Sequence, residues 1–275
     1  MEFPRRFPAL FQRSRPLLFL PLFGLLLLTS QTRADRMEHR GIHFWVRVYD
    51  PSTERLELHL PDEAGTPNTF PKVAEIVEKE GRELLFATNS GIFEGNFRPT
   101  GLHISEGETV VGLNLKSFRK EREAQLTPNF YLKPNGVFAL LEGGRGLIAE
   151  SRQFRKLGVD PVLATQSGPL LVSEGTIHPI LTESSTSTRY RNGVGVREDG
   201  AVVFACSVLD PEVGFSNLYH FAEFFRDKLD CPDALYLDGD ISYIYLKGET
   251  PPIHKTNWFA GIFTITKTEA SAARE

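Results

Sequence analysis

Short apolar segments with the alternating pattern of β-strands fill most of this chain after residue 40, and turns rich in glycine, proline and asparagine separate them. Apolar residues recur at helical spacing in two clear stretches, residues 71–80 and 217–229. We therefore predict a single α+β domain with a mixed, largely antiparallel sheet and a few covering helices. The turns at residues 50–52 and 134–136 predict hairpins between the strands that flank them.

The first 34 residues have the order of a secretory signal peptide. Four arginines within the first 15 residues precede an apolar run over residues 17–28, and small or polar residues follow up to Ala34. The apolar run is shorter than the roughly 20 residues that span a bilayer core. We predict cleavage after Ala34, a domain over residues 35–275 with its core at about 40–266, and a secreted or periplasmic protein without a stable membrane span. An uncleaved N-terminal anchor is the alternative.

The charge balance argues against a nucleic-acid partner. The chain has 31 lysines and arginines against 35 acidic residues, a net charge of -4, and no long basic run after residue 15. Its two cysteines are Cys206 and Cys231. An oxidising compartment would permit a disulfide between them, but Cys206 lies in an apolar strand where a buried free thiol is equally ordinary.

Residues 234–242 carry the most informative group of polar side chains. Here an apolar strand runs directly into Asp238, Gly239, Asp240 and Ser242. Carboxylates on such a support can act as a general acid or base, bind a metal ion or accept hydrogen bonds from sugar hydroxyls. Gly239 would let a ligand approach the backbone closely. A plain turn is the alternative interpretation, because aspartate and glycine are common turn residues.

Three further strand ends carry polar loops that we expect near the same site, since binding groups tend to lie on loops held by rigid strands. In chain order these loops supply Asn89, Glu94 and Arg98, then Gln166, Ser167 and Gly168, and finally Arg191 and Asn192. Guanidinium binds phosphate or carboxylate oxygens bidentately, and we choose Arg191 as the inward-facing arginine. Ser167 lacks the Gly-x-Ser-x-Gly spacing of a nucleophile elbow, so we do not predict serine catalysis. Ordinary turns and polar strand faces remain the structural alternative.

In their order along the chain, several blocks resemble the phosphodiester glycosidase domain family. The blocks are residues 87–93, 98–102, 129–130 with 133–138, Thr-Gln-Ser-Gly-Pro at 165–169, Arg-Asn-Gly-Val-Gly-Val at 191–196, and 234–239. This family includes the lysosomal enzyme that removes N-acetylglucosamine from a sugar-1-phosphate diester, and many secreted bacterial proteins. Family members usually end the last block Asp-Gly-Gly-x-Ser, whereas Asp240 replaces the second glycine here.

The resemblance implies a secreted hydrolase, a glycosidase that cleaves the sugar–phosphate bond of a glycosyl-1-phosphodiester on an envelope or extracellular glycan. The departing phosphate needs positive charge, which Arg191 with Arg98 would supply. A carboxylate must activate water or stabilise the oxocarbenium-like sugar. Asp238 is the first candidate for this role, and Glu94 or Asp240 is the second. The residues expected to orient sugar hydroxyls or phosphate oxygens are Asn89, Gln166, Ser167, Gly168, Asn192, Gly239 and Ser242.

Two other functions fit the same residues. A non-catalytic glycan-binding module, or one that assembles exopolysaccharide or envelope, would need the same pocket without turnover. A divalent-metal-dependent hydrolase would use Asp238, Asp240 and Glu94 as oxygen ligands. No His-x-x-x-His motif or closely spaced cysteine pair indicates zinc, so we predict neither a metal nor another cofactor.

Overall fold

The computed structural model describes residues 34–61, 66–118, 127–239, 241–250 and 257–268, all within one compact unit. Its strands are β1 Asp35–His39, β2 Ile42–Val48, β3 Glu54–His59, β4 Leu84–Asn89, β5 His103–Ser105, β6 Glu108–Val111, β7 Gly136–Leu140, β8 Gly146–Glu150, β9 Leu163–Ser167, β10 Leu170–Ser173, β11 Thr176–Ile177, β12 Asn192–Val196, β13 Val202–Ser207, β14 Asp233–Tyr236, β15 Ile244–Leu246 and β16 Ile262–Lys267. Its α-helices are α1 Phe70–Lys79, α2 Ser151–Leu157 and α3 Leu218–Asp227.

The described strands form three sheets. A seven-stranded sheet has the order β1-β2-β13-β12-β14-β10-β11, a four-stranded sheet the order β15-β4-β16-β3, and a five-stranded sheet the order β6-β5-β9-β7-β8. Every pair of neighbouring strands within them is antiparallel. The predicted largely antiparallel α+β arrangement is confirmed, but three sheets take the place of one mixed sheet.

The three sheets share a central apolar core. One phenylalanine from each sheet meets the other two there: Phe204 of β13, Phe263 of β16 and Phe138 of β7 have ring centroids 5.4 to 6.1 Å apart. All three rings are fully buried. Because side chains alternate between the faces of a strand, Val203 and Ala205 point the other way and pack in the cluster that contains α3.

Both cysteines are free and buried. Cys206 belongs to the central core, whereas Cys231 belongs to the cluster that contains α3. The seven-stranded sheet therefore separates the two sulfur atoms, and no disulfide joins them. Burial raises the pKa of both thiols, that of Cys231 to about 12, which disfavours the reactive thiolate.

The two predicted helices are present, and each begins at a side-chain cap. The hydroxyl of Thr69 accepts a hydrogen bond from the backbone N–H of Lys72 at 3.2 Å. The side chain of Asn217 does the same for the N–H of His220 at 2.8 Å. Helix α2 was not predicted, because its seven residues bury only Ser151 and Phe154 and so give a weak apolar pattern.

Both predicted hairpins are wrong. Strand β2 pairs with β1 and β13, while β3 pairs with β16 from the far end of the chain. The segment Asn129–Tyr131 is a short 3-10 helix, and β7 pairs with β8 and β9. Turn residues marked where the chain reverses, but burial of apolar faces decided which strands became neighbours.

None of the described helices has the length and apolar character needed to cross a membrane. Within the predicted signal peptide, only Ala34 is among the described residues.

Candidate active site

The end of β14 meets the end of β4 and the start of β12 at Asp238. The backbone carbonyl of Asp238 accepts hydrogen bonds from Asn89 Nδ2 at 2.7 Å and Ser242 Oγ at 3.3 Å. Its backbone N–H lies 3.4 Å from the carbonyl of Ser90. Asp238 itself is half-buried. These bonds fix the backbone that carries the Asp238 carboxylate and bring three predicted residues together.

Two buried asparagines join these strands, and they differ in how many of their side-chain amide atoms form hydrogen bonds within the protein. Asn89 donates to Asp238 and accepts from the backbone N–H of Tyr243 at 3.0 Å, so both ends of its amide are used inside the protein. Asn192 donates to the carbonyl of Asn89 at 2.9 Å. Its Oδ1 is buried and has no hydrogen-bond partner. A buried oxygen in this state is a candidate acceptor for a ligand donor.

Arg191 is a buried cation at the same place, with only 3% of its surface exposed. Its guanidinium donates to the carbonyl of Ser216 at 2.8 Å, the carbonyl of Ser187 at 2.7 Å and Tyr236 Oη at 3.3 Å. All three acceptors are neutral, and no carboxylate among the described residues forms an ion pair with Arg191. A guanidinium has five N–H donors, so capacity for an anion remains.

Tyr236 and Gly239 place Arg191 beside the Asp238 turn. A Cβ atom added to Gly239 would lie 1.8 Å from Tyr236 Oη, so the glycine backbone passes directly over this hydroxyl. The same hydroxyl accepts from Arg191. The prediction that Arg191 and Asp238 share one site therefore has a structural basis: a buried tyrosine links the cation to the turn.

Gln166 makes four internal hydrogen bonds, and its contact with a ligand stays a prediction. Its Oε1 accepts from the N–H groups of Leu102 at 3.0 Å and Asn114 at 2.9 Å. Its Nε2 donates to the carbonyl of Asn114 and to Ser151 Oγ, at 2.8 and 2.9 Å. The amide is thus saturated and fully buried.

The two residues after Gln166 also make internal contacts. Ser167 Oγ accepts from the N–H of Ile92 at 3.3 Å. A Cβ on Gly168 would lie 2.6 Å from the Cβ of Asn135, so close packing requires glycine. Ser167 and Gly168 therefore hold the neighbouring loops in place, and their contact with a ligand stays a prediction.

Glu94 and Arg98 lie on the loop that follows β4. The N–H of Glu94 donates to the carbonyl of Arg98 at 2.9 Å, which closes a tight turn. Both side chains are exposed, and no hydrogen bond or ion pair among the described residues joins either one to Asp238 or Arg191. The catalytic role of Glu94 and the phosphate contact of Arg98 stay predictions.

Asp240 lies outside the described residues, and its predicted role stays a prediction. Within the ranges that the structure describes, no group of three histidine, cysteine or acidic side chains is arranged to hold a metal ion. Asp238 and Glu94 thus do not form part of such a group there.

Tyr236 and His103 were not among the residues predicted for the site. Tyr236 is the last residue of β14, two positions before Asp238, and its apolar strand context predicted a core residue. His103 is fully buried, with Nε2 3.0 Å from Thr165 Oγ1 and 3.4 Å from Ser90 Oγ. Burial lowers its pKa to about 4, so it is neutral at pH 7. No local pattern marked it.

An antiparallel α+β domain that holds a buried arginine beside a carboxylate turn has the elements of an anion-binding cleft. The family model described as "Phosphodiester glycosidase" matches residues 82–257, which include every described residue of this cluster. The chain belongs to the phosphodiester glycosidase family.

Two individual proteins are similar to this chain, one in sequence and one in structure. A protein of Escherichia coli (strain K12), described as "Uncharacterized protein YigE", is 33% identical over 86% of this chain and 85% of its own length. The zebrafish N-acetylglucosamine-1-phosphodiester alpha-N-acetylglucosaminidase catalytic domain, in a form auto-inhibited by its pro-peptide, is similar in structure. Its TM-score is 0.55 at 17% identity, over 84% of this chain and 81% of that domain. At this identity the likeness shows the fold.

Proposed function

We propose that this protein hydrolyses a glycosyl-1-phosphodiester, cleaving the bond between the anomeric carbon of the sugar and the phosphate oxygen. The observation that carries the proposal is the buried guanidinium of Arg191, which has neutral partners only and lies beside the Asp238–Gly239 turn. The name of the zebrafish neighbour gives an N-acetylglucosamine-1-phosphodiester, and we take the same class of substrate for this chain.

Arg191 would bind the phosphate that departs. Breaking the glycosidic bond leaves the electron pair and a developing negative charge on the phosphate, which is then a monoester. A buried guanidinium already held by Ser187, Ser216 and Tyr236 stabilises that charge without reorganising. It does so more strongly than an exposed arginine would, because little water screens it.

Asp238 would act at the anomeric carbon of the sugar. Glycosidases use carboxylates to activate water or to stabilise an oxocarbenium-like transition state. Hydrogen bonds from Asn89 and Ser242 fix the backbone of Asp238, so its carboxylate is attached to a rigid segment. The unpaired Oδ1 of Asn192 would accept a hydrogen bond from a sugar hydroxyl or amide.

The place of action that we propose is outside the cytoplasm, in the periplasm or beyond it. The support is the arginine-rich, apolar and then small-residue order of residues 1–34. A glycan of the envelope or an extracellular glycan is the corresponding substrate.

Release of free sugar from the methyl diester of N-acetylglucosamine 1-phosphate tests this proposal. We expect release by the purified protein, a fall in kcat of roughly 10²–10⁴-fold in Asp238→Asn, and a fall of about 100-fold or more in Arg191→Lys. Lysine keeps the charge but cannot form the same three hydrogen bonds. Asp160→Asn, at an exposed aspartate elsewhere, is the matched control and should retain activity.

Two results would contradict the proposal. The first is unchanged release by Asp238→Asn and Arg191→Lys, when thermal unfolding shows both to be folded. The second is saturable binding of the diester without any release by the wild-type protein, which would instead support a glycan-binding module.

A further inference from the structure

A fully buried histidine lies behind the backbone that supports Asp238. The Nε2 atom of His103, on β5, lies 3.0 Å from Thr165 Oγ1 and 3.4 Å from Ser90 Oγ. Its Nδ1 atom lies 3.3 Å from the backbone carbonyl of Gly101. A carbonyl oxygen can only accept, so Nδ1 carries the ring proton and Nε2 accepts hydrogen bonds from both hydroxyls. The proposed reaction does not use this imidazole.

Ser90 connects the imidazole to Asp238. The backbone N–H of Asp238 lies 3.4 Å from the carbonyl of Ser90, and the side chain of the preceding residue, Asn89, donates to the carbonyl of Asp238 at 2.7 Å. Residues 89 and 90 therefore contact both polar backbone groups of Asp238. Because the carboxylate is attached to this backbone, a movement of Ser90 changes where the carboxylate lies.

Ser90 has little room to move while His103 is in place. A Cβ on Gly261 would clash with Ser90 Oγ, so the hydroxyl lies between the backbone of Gly261 and the imidazole. The backbone N–H of Ser90 also donates to the carbonyl of Gly261 at 3.0 Å. A Cβ on Gly91 would lie 2.6 Å from Thr165 Oγ1, the second hydroxyl that His103 binds. His103 therefore fixes two successive residues of this segment, Ser90 directly and Gly91 through Thr165.

We infer that His103 is a positioning residue for Asp238, which acts chiefly through the hydroxyl of Ser90 and holds the carboxylate where it faces the anomeric carbon. The inference rests on the proposed function. Burial lowers the pKa of His103 to about 4, so Nε2 remains an acceptor at neutral pH. A misplacement of about 1 Å in a reacting group can lower a rate by about 100-fold. Loss of this support should therefore lower kcat, although His103 is fully buried and does not touch the substrate.

Leucine and glutamine at position 103 distinguish positioning from packing. Leucine fills similar space without an acceptor, whereas glutamine carries an amide oxygen that can replace Nε2 as the acceptor. For the methyl diester of N-acetylglucosamine 1-phosphate, we expect His103→Leu to lower kcat by about 10- to 100-fold with KM within about twofold of wild type. His103→Gln should recover most of the loss. His59→Leu is the matched control and should keep the wild-type kcat, because His59 likewise contacts a hydroxyl, Thr264 Oγ1 at 2.9 Å, but between β3 and β16.

A double-mutant cycle tests whether the effect passes through Ser90. Ser90→Ala should lower kcat by itself, and His103→Leu should then cause a much smaller further loss than it causes in wild type. Independent, fully additive losses would overturn the inference. So would a wild-type kcat in His103→Leu, or an equal loss of kcat in His103→Gln and His103→Leu.

Hydrogen exchange of the backbone N–H of Asp238 tests the same contact without turnover. We expect it to exchange about tenfold faster in His103→Leu than in wild type, while the N–H of Tyr49, which donates to the carbonyl of Val202 at 3.0 Å, keeps its rate. This result supports the inference even for a protein that releases no sugar, and such a protein would contradict the proposed function alone. An unchanged rate at Asp238, or an equal increase at Tyr49, overturns the inference. If His103→Leu does not fold, Ser90→Ala takes its place in the measurements of kcat and exchange.

Discussion

Buried polar side chains around Asp238 differ in how much of their hydrogen-bonding capacity the protein uses. Gln166 makes four internal bonds and has none left. Asn192 keeps an unpaired Oδ1, and Arg191 keeps donors beyond its three bonds. Unused capacity in a buried group costs stability. Asn192 and Arg191 are therefore the residues to which the proposed function gives the ligand, whereas the bonds of Gln166 are all internal.

Gln166→Ala should destabilise the fold strongly. The substitution leaves the N–H groups of Leu102 and Asn114 and the carbonyl of Asn114 without their partner. At about 1 kcal/mol or more for each such group, the free energy of unfolding should fall by about 3 kcal/mol. Urea denaturation of wild type and Gln166→Ala measures this loss in the free energy of unfolding.

Gln153→Ala provides the comparison, because Gln153 is exposed on α2 and its side chain makes no hydrogen bond with any residue that the structure describes. Its free energy of unfolding should stay within about 0.5 kcal/mol of wild type. Equal losses in the two variants would show that the amide of Gln166 does not hold the loops.

At the scale of elements, β12 approaches α3 so closely that only glycine fits between them. A Cβ on Gly195 would lie 2.7 Å from both Cys231 Sγ and Phe225 Cδ1. Residues two apart on a strand share a face, and Gly193 meets Phe221 and Phe225 in the same way. The Gly-Val-Gly pattern thus lets the helix lie flat on the strand that begins with Asn192.

Gly195→Ala should overpack this contact and lower the free energy of unfolding by about 1–3 kcal/mol. Gly112→Ala is the control, because no atom lies within 4 Å of the position that its Cβ would take. Thermal unfolding of the two variants and of wild type measures these differences in stability. A Gly195→Ala protein as stable as Gly112→Ala would mean that α3 moves away from β12 at little cost.

The sequence predicted most elements but not their neighbours. The apolar run around Phe204 and the helical spacing of apolar residues over 71–80 and 217–229 are local signals, and they located β13, α1 and α3 correctly. The pairing of β3 with β16 joins residues about 200 positions apart, and no local pattern encodes it. The same limit explains Gln166, because three of its four hydrogen bonds are with Leu102 and Asn114, more than 50 residues earlier in the chain.

On the scale of the whole molecule, an ion cluster ties the first described strand to α3. Glu223 of α3 accepts hydrogen bonds from Arg40 at 2.5 and 2.9 Å and lies 2.8 Å from His39 Nε2. Arg40 also pairs with Glu183, 3.2 Å away, in the segment between β11 and β12. The beginning of the domain, α3 and this segment are therefore linked through one arginine.

This cluster should make the stability of the domain sensitive to acid. The hydrogen bond from Arg40, together with that from His39, lowers the pKa of Glu223 from 4.5 to about 2. A carboxyl whose pKa is lower in the folded state stabilises the fold fully above its unfolded pKa, and this contribution is lost as the pH falls through the folded pKa. Glu223→Gln should therefore be less stable than wild type above about pH 5, and the difference should shrink between about pH 4.5 and 2.

Urea denaturation of wild type and Glu223→Gln at several pH values between 7 and 2.5 measures this difference directly. The comparison is needed because burial raises the pKa of Glu54 and Asp233, whose effects on stability run in the opposite direction with pH. Taking the difference between two proteins removes those shared contributions. Glu198→Gln, at an exposed glutamate outside the cluster, should show no such trend. A difference for Glu223→Gln that stays constant down to pH 2.5 would mean that β1 and α3 are held together by packing, and that the ion cluster contributes little.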